Sequence, residues 1–482
     1  MSSSSKGAVG GNVIEQMGER IATVVERWMP SPFLFAIILS YLVFAVGIVA
    51  EGAGVFEMVE FWYDGFWGFL TFAMQMVLIL MTGFVIAYHP RINDLLVRLA
   101  KIPTSSQQAV VLVAVFSMVL AWFHWGFSLI IGAIFAREMG KAMYKKGVDV
   151  HYPILCVAGY MGLGLTWHWG LSGSATLLLT DPQEVGEGTA FDMVPETVPA
   201  SATIFSGYGI VLTILSIIFA AVVLWILTPS AERSRDITDY IPEDELFETA
   251  TDGGTQVMEN AQSDDTKPVP AERLDNSRIL GGVIALTGLA FVGYLFVTQG
   301  IDAWTLNAVN FSFLMAGIAL YTRPAVYRER FGEASSAAAG VILLFPFFAG
   351  IQGMMASSGL VQTIADGLLA ISSPETFPVI AWITSAFINL LVPSGGGQWI
   401  VLGPSVLEAG HELGIATGHA TMAYAVGDAH TNLLNPFWAL PLLAITRIKA
   451  REMFGYAVAM MLALIPFLAI VLYLLPYDAL TF

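Results

Sequence analysis

Long apolar stretches, separated by short polar or charged segments, run along most of the 482-residue chain. Many of these stretches reach the roughly 20 residues that a helix needs to cross a bilayer. Basic residues collect in some of the intervening segments and acidic residues in others, and short basic loops mark the cytoplasmic side of a membrane. The pattern predicts an all-α polytopic membrane protein whose outer surface faces the lipid bilayer.

The apolar stretches define an order of crossings. The first stretch, 33–50, is expected to remain as a span because it is long for a signal peptide. Further spans are predicted at roughly 65–88, 153–180, 204–228, 279–298, 304–321, 338–356, 420–446 and 453–475. Arg20 and Arg27 precede the first span, which predicts a cytoplasmic N-terminal segment, 1–30. The same count of crossings puts the C-terminus outside a cytoplasmic membrane.

Two stretches fit a re-entrant hairpin better than a crossing. Residues 104–136 have basic flanks on both sides and are predicted to be rooted inside, whereas 377–410 are predicted to be rooted outside. The second stretch contains three consecutive glycines, 395–397, and each glycine costs a helix about 1 kcal/mol relative to alanine. Irregular backbone at membrane depth is tolerated only against protein or a watery cavity. We therefore expect the tip at 393–397 to break the helix and to meet a ligand.

The two halves of the chain predict a repeat. An offset of 270 residues places Gly126 on Gly396, at the centres of the two hairpins. Segment 65–88 is predicted to run inward and its counterpart 338–356 outward, which indicates inverted-topology repeats, each with a hairpin and a broken transmembrane helix. The predicted division is a first membrane repeat, 31–228, an acidic cytoplasmic linker, 229–278, which we expect to be solvated, and a second membrane repeat, 279–482.

Composition narrows the chemistry. The chain is 56% hydrophobic and 12% charged, about half the charge of a soluble domain. Its only cysteine, Cys156, excludes a disulfide framework and a thiolate metal cluster. No H-E-x-x-H, G-x-S-x-G or Walker motif is present, so no catalytic residue, metal site or cofactor is expected. With a formal charge of −17, no nucleic-acid partner is expected either.

Several motifs resemble one family. VPSGGGQW at 392–399 and NPFWALP at 435–441 are similar to segments of the short-chain fatty acid transporter family, the acetoacetate and butyrate permeases. Shorter similarities are DGFW at 64–67, WGF at 125–127, GAIFARE at 132–138, LSGS at 171–174, FPF at 345–347 and AGIQ at 349–352. The resemblance implies a secondary active transporter that carries short-chain monocarboxylates together with H⁺ or Na⁺, related to a wider group of transporters with paired hairpins.

The predicted substrate site combines donors for a carboxylate with a dry pocket for an alkyl tail. Helix N-termini at broken helices supply N–H groups and positive dipole ends, and glycine permits close approach of the backbone. The alternative for these glycines is simple helix packing. The candidate residues are Ser394, Gly395, Gly396, Gly397, Gln398, Trp399, Trp125, Gly126, Ser172, Gly173, Ser174, Asn435 and Pro436.

Ionisable residues inside the predicted spans are candidates for coupling, because an intramembrane charge is costly unless it has a function. Asp428 is placed in the second broken crossing, where it can bind Na⁺ with neighbouring oxygens or carry a proton. The coupling candidates are Asp428, Asn432, His124, His168 and His430. For each of them a structural role, such as hydrogen bonding within the packed interior, is the alternative.

Three other functions stay open. A carrier of another small organic anion or of an amino acid would share the same architecture. A channel is disfavoured because hairpins rooted on opposite faces do not form an open pore, and an intramembrane enzyme is disfavoured because it needs a nucleophile with a base or a metal. The exact acid, the coupling ion and the oligomeric state are also open, with a homodimer as one alternative.

Overall fold

The computed structural model describes residues 31–186, 189–247 and 269–481. The predicted N-terminal segment 1–30 and the linker residues 248–268 lie outside the described residues. Within those ranges the regular structure is helical, apart from one isolated bridge between Val185 and Phe191. The all-α class predicted from the sequence is therefore confirmed.

The first half forms ten helices before the undescribed part of the linker. They are α1 (Pro32–Ala50), α2 (Val55–Phe66), α3 (Leu70–Ala87), α4 (Pro90–Leu99), α5 (Ser106–Phe123), α6 (Trp125–Lys145), α7 (Tyr152–Met161), α8 (Ser174–Leu178), α9 (Gly207–Leu227) and α10 (Glu243–Phe247). A π-helical turn, Gly162–Thr166, extends α7 before the chain breaks.

The second half contains eleven helices within its described range. They are α11 (Pro270–Asp275), α12 (Arg278–Gln299), α13 (Leu306–Tyr321), α14 (Pro324–Ser358), α15 (Leu360–Ile371), α16 (Phe377–Leu391), α17 (Gly395–Glu412), α18 (Thr417–Thr431), α19 (Pro436–Thr446), α20 (Ala450–Leu474) and α21 (Tyr477–Leu480). A 3₁₀ turn, Asn432–Leu434, joins α18 to the break before α19.

Membrane-spanning character is present in both halves. Within the described part of the chain, seven helical stretches are long and apolar enough to cross a bilayer. They are Pro32–Ala50, Leu70–Ala87, Ser106–Phe123, Gly207–Leu227, Pro270–Ala303, Pro324–Ser358 and Ala450–Leu474. This agrees with a polytopic membrane protein.

Helix α14 organises one side of the molecule. It continues for 35 residues and packs against α1, α2 and α3. Its contact with α2 is backbone to backbone, since a Cβ added at Gly65 would lie 2.7 Å from the Cα of Gly353. Small residues of this kind let two helices approach closely in a membrane. α14 thereby brings Phe345 against Phe72 of α3, with ring centroids 5.7 Å apart.

Four helix breaks converge on the interior. They separate α5 from α6, α7 from α8, α16 from α17, and α18 from α19. The two hairpin breaks have nearly the same backbone: His124 has φ −161° and ψ 108°, and Ser394, which is 270 positions later, has φ −154° and ψ 106°. The two predicted hairpins thus share a local structure at the predicted offset. Their opposite orientation in the membrane stays a prediction.

One detail of the second hairpin differs from the expectation. The three glycines 395–397 do not break the helix but form the first turn of α17, and the break lies just before them at 392–394. Ser394 explains the difference, because its Oγ accepts a hydrogen bond from the N–H of Gly397 at 3.3 Å and so caps the helix. The glycines are needed for close packing at this position.

The first part of the predicted linker also differs from the expectation. Ile237, Ile241 and Leu246 are at most 3% exposed, so these three side chains attach 231–246 to the protein as a strap, whereas 231–233 and 242–245 are exposed. The strap differs from the expected solvated segment at its three buried side chains. The Tyr152 N–H donates to the Arg235 carbonyl at 2.8 Å, and the Arg235 guanidinium lies 3.6 Å from the Glu452 carboxylate. The strap therefore connects the start of α7 with the start of α20.

Candidate functional site

The site begins with the two capped helix N-termini at the hairpin breaks. Nδ1 of His124 accepts from the N–H of Phe127 at 3.1 Å, as Oγ of Ser394 accepts from Gly397 in the other hairpin. Both helices then direct their remaining free N–H groups and positive dipole ends toward the interior. Neither arrangement requires a lysine or an arginine.

The tip of the second hairpin fits tightly into its surroundings. A Cβ at Gly395 would overlap the ring of Trp167, and a Cβ at Gly396 would lie 2.8 Å from Cζ of Phe345. Neither glycine has a positive φ, so the requirement is space and not an unusual backbone conformation. The predicted close approach at Gly395 and Gly396 is thus made to aromatic side chains.

A cavity of about 160 Å³ adjoins this tip. It is lined by Pro32, Met76, Leu80, Trp125, Trp167, Ser174, Ala337, Gly340, Val341, Leu344, Phe345, Pro393, Ser394, Gly395, Gly396, Phe437 and Trp438. None of these lining residues is charged. Five predicted substrate residues line the cavity: Trp125, Ser174, Ser394, Gly395 and Gly396.

Three tryptophans in the cavity wall have unused donors. The indole Nε1 atoms of Trp125, Trp167 and Trp438 are buried and have no hydrogen-bond partner within the described structure. An indole N–H can only donate, and a buried one usually finds an acceptor. Because these Nε1 atoms are buried, they lie beside the cavity and not on its surface, and an acceptor in the cavity reaches one of them only when the ring turns.

The other predicted substrate residues support the cavity from behind. Oγ of Ser172 accepts from the Trp125 N–H at 2.9 Å, and Gly173 caps α8. Gln398 donates to the Ser385 carbonyl at 2.8 Å, and Asn435 caps α19 by accepting from Phe437 at 3.1 Å.

Three of the remaining four predicted substrate residues lie outside the cavity lining, and the fourth is Pro436. Trp399 packs on Tyr424 with ring centroids 4.6 Å apart, away from the cavity lining. A Cβ at Gly126 would lie 3.2 Å from the Cα of Leu80, so Gly126 is a packing position. Gly397 lies one residue beyond the cavity lining, in the first turn of α17. Pro436 is the first residue of α19, and its side chain lies outside the described part.

The coupling candidates divide into two groups. Nδ1 of His168 lies 2.7 Å from Oδ1 of Asp428, and both side chains are fully buried. Asn432 is close to this pair, because its Oδ1 and the backbone carbonyl of Asp428 both accept from Nδ2 of Asn389, at 2.9 and 2.8 Å. Oδ2 of Asp428 is buried without a hydrogen-bond partner in the described structure. His168, Asp428 and Asn432 thus form one polar cluster.

His124 and His430 lie elsewhere. The His124 ring packs on Phe313 with centroids 4.0 Å apart, and its Nε2 is buried without a hydrogen-bond partner among the described residues. Nε2 of His430 lies 2.8 Å from the Met461 carbonyl, and its ring stacks on Trp382. Neither histidine is in hydrogen-bond contact with Asp428, and a packing role fits His430 best.

Trp167 and Asn389 were not selected from the sequence. Trp167 lines the cavity and stacks on His168 at 4.2 Å between ring centroids. Asn389 is the one amide side chain in the apolar helix α16, and a polar residue inside a predicted span is itself a functional signal. That signal was sufficient to find Asn389. Trp167 had no comparable signal, because tryptophan is common in membrane proteins.

Comparison with known proteins gives a consistent result. A model of the family described as Short chain fatty acid transporter matches residues 13–475. A protein of Escherichia coli K12, named "Putative short-chain fatty acid transporter", is 35% identical over 450 residues, which cover 93% of this chain and 97% of that protein. A Haemophilus influenzae protein of the same name is 33% identical over 469 residues, covering 96% and 100%.

Two solved structures share the fold. MtrF of Neisseria gonorrhoeae, described within a class of antimetabolite efflux pumps, has a TM-score of 0.57 at 17% identity and covers 95% of this chain and 98% of its own. The YdaH transporter of Alcanivorax borkumensis has a TM-score of 0.56 at 17% identity, covering 92% and 98%. At this identity the likeness concerns the fold alone.

Proposed function

Because this chain belongs to the short-chain fatty acid transporter family, it is a membrane transporter and not an enzyme, and we propose that it carries a short monocarboxylate such as butyrate or acetoacetate. The cavity beside the tip of α17 is the proposed binding site. The coupling ion is proposed to be H⁺ or Na⁺, taken up at Asp428.

Unpartnered donors beside the cavity, together with the N-terminus of α17, carry this proposal. A carboxylate is an acceptor only, and the indole N–H groups of Trp125, Trp167 and Trp438 are donors only. The N-terminal turn of α17 adds backbone N–H groups and a positive dipole end, which favour an anion. With no lysine or arginine in the lining, the cavity favours a monoanion over a di- or tricarboxylate.

Cavity size supports a short acid. An apolar protein cavity of about 150 Å³ accommodates benzene, which has as many non-hydrogen atoms as butyrate. The cavity here measures about 160 Å³ and is walled largely by aromatic and aliphatic side chains. An alkyl tail of about three carbons fits this apolar space, which is partly open, and the carboxylate would lie near the N-terminus of α17.

The experiment measures uptake of radiolabelled butyrate into proteoliposomes, with proton and Na⁺ gradients imposed separately. Trp167→Phe keeps an aromatic ring but removes the donor, and a hydrogen bond to a charged group contributes about 1.5–3 kcal/mol, so the apparent affinity should fall roughly 10- to 100-fold. Trp122→Phe is the matched control, since its Nε1 is also buried without a partner in the described structure but lies outside the cavity lining. Equal effects of the two variants would contradict the proposal.

A further inference from the structure

His168 has a fixed arrangement of partners on both ring nitrogens. Nδ1 lies 2.7 Å from Oδ1 of Asp428, and Nε2 lies 3.0 Å from Oγ of Ser174 and 3.2 Å from the backbone N of Ala175. All three side chains in this row are at most 1% exposed. Ser174 also lines the cavity, so the row extends from the cavity wall to the buried carboxylate.

The backbone N–H of Ala175 assigns the proton on the ring. A backbone N–H can only donate, so Nε2 of His168 must accept and the ring proton must be on Nδ1, where it is donated to Asp428. Protonation of Nε2 would place two donors against each other. His168 is therefore held neutral, and the group in the row that can take up a cation is Asp428, through its unpartnered Oδ2.

Few other charges surround Asp428 in the described structure. On its own helix, Tyr424 lies one turn earlier, His430 is turned toward Met461, and the ring of His419 stacks on Tyr477. Helices α8 and α16, which pack nearby, contain no charged residue. The charged or titratable groups of α17 and α20 lie within two turns of a helix end. They are Glu408, His411 and Glu412 in α17, and Arg451, Glu452, Tyr456 and Tyr473 in α20.

We propose, on the premise of the proposed function, that Ser174 links the coupling cation to the substrate carboxylate through His168. While Asp428 is ionised it polarises the imidazole, so Nε2 is a strong acceptor and holds the single hydroxyl proton of Ser174. When H⁺ or Na⁺ neutralises Asp428, Nε2 becomes a weaker acceptor and Ser174 donates to the carboxylate instead. Substrate affinity then rises with cation binding, which favours a state loaded with both.

The position of Ser174 fits this role. Its Oγ lies 3.3 Å from the position that a Cβ on Gly395 would occupy, so the hydroxyl is next to the N-terminus of α17. The Nε2 lone pair of His168 is already shared with the Ala175 N–H, which weakens the hold on Ser174. A modest change in the acceptor strength of Nε2 is therefore enough to redirect one hydroxyl proton.

The test measures equilibrium binding of radiolabelled butyrate to the purified protein in lipid nanodiscs, over a pH series without Na⁺ and a Na⁺ series at fixed pH. The wild-type affinity should rise about tenfold with the coupling cation, since one hydrogen bond to a charged group is gained. A rise in affinity in the pH series identifies H⁺ as the coupling cation, and a rise in the Na⁺ series identifies Na⁺. Ser174→Ala should bind weakly and without cation dependence.

Asp428→Asn provides the second variant, because its amide oxygen still accepts from His168 while the charge is gone. At all pH and Na⁺ values it should bind butyrate with the affinity that the wild type has when the cation is bound. The double variant Ser174→Ala/Asp428→Asn should have the same butyrate affinity as Ser174→Ala alone. Ser128→Ala is the control: its Oγ is also buried, donates to the Ser117 carbonyl at 2.8 Å and lies outside the cavity lining.

The outcomes separate the two proposals. If the wild type binds butyrate but Ser174→Ala keeps the full cation response, or Asp428→Asn still responds to the cation, the link through Ser174 is overturned and the proposed function stands. If the wild type does not bind butyrate under any condition, the proposed function fails and the link fails with it.

Discussion

Trp125 and Trp438 pack edge to face in the cavity wall, with ring centroids 5.6 Å apart and ring planes at 82°. Trp167 lies 5.9 Å from Trp125 and 6.4 Å from Trp438, so the three rings contact one another. Each ring comes from a different helix break, and aromatic pairs of this geometry stabilise their arrangement by about 0.5–1.5 kcal/mol. The wall of the cavity is therefore formed before a ligand arrives.

Gly340 offers a test of cavity size. It lines the cavity, and a Cβ added there has no atom within 4 Å, so Gly340→Val should fit the fold and fill part of the cavity. Burial of one methylene contributes about 0.8 kcal/mol, and butyrate has two more methylenes than acetate. If the valine takes the space of these methylenes, the preference for butyrate over acetate should fall about tenfold. Competition uptake assays measure this ratio.

The control for this change is Gly282→Val. A Cβ at Gly282 also has no atom within 4 Å, but this residue lies in α12, away from the cavity. An unchanged ratio in Gly340→Val, or an equal change in both variants, would show that this cavity does not hold the alkyl tail.

Gly396 tests the tight packing of the hairpin tip. Gly396→Val should reach the membrane but lose uptake, because its Cβ would lie 2.8 Å from Phe345 and 3.1 Å from Phe72. Overpacking of this kind typically costs about 1–3 kcal/mol. Adding Phe345→Leu should restore part of the uptake in the proteoliposome assay. Normal uptake in the single variant would mean that the tip has free space in the working protein.

Membrane orientation is tested by labelling. The predicted roots of the two hairpins place Lys145 inside and His411 outside, and both residues are exposed. In a Cys156→Ala background, His411→Cys should react with a membrane-impermeant maleimide in intact cells. Lys145→Cys should react only after permeabilisation. Labelling of both positions from the same face would refute the inverted repeat.

Glu184, in the loop after α8, predicts a pH dependence of stability. Burial, and then the neighbouring Asp181 charge, raise the pKa of Glu184 from 4.5 to about 7. Between these values the folded state binds more protons at Glu184 than the unfolded state. The contribution of Glu184 to stability is therefore fully present below pH 4.5 and is lost as the pH rises to 7.

Glu184→Gln should remove this component. Its apparent melting temperature, measured by thermal shift in detergent from pH 4.5 to 7.5, should fall less with pH than that of the wild type. Glu196→Gln, an exposed carboxylate of the same loop, is the control and should follow the wild type. Identical slopes for Glu184→Gln and the wild type would contradict the assignment.

The sequence was informative wherever a local rule decides the structure. Apolar length identified six of the nine predicted spans as helices long enough to cross a bilayer, while 153–180, 304–321 and 420–446 contain shorter helices. The polar interruption at His124 and the Pro393-Ser394 pair before Gly395 marked the hairpin breaks. Glycine propensity alone misplaced the second break by a few residues, because a capping hydroxyl at Ser394 and tight aromatic packing compensate for poor helix propensity.

Contacts between segments that are distant in the sequence could not be predicted from local sequence patterns. The sequence identified Asp428 as a costly charge and His168 as a titratable group, but did not indicate that they contact each other. The same holds for Phe345 and Gly340, which reach the cavity only because α14 crosses α3, and for Ile237, whose burial depends on the surface of α6 and α7. Such contacts require the tertiary arrangement.

The separation of His168 and Asp428 along the chain has a consequence for biogenesis. The two residues are 260 positions apart, so at synthesis rates of 5–20 residues per second the histidine waits roughly 10–50 s for its partner. During that time helix α7 and its break are already in the membrane, and the segment carrying Asp428 must insert without its partner. We expect the first half to remain loosely assembled, and open to quality-control proteases, until α18 arrives and closes the pair.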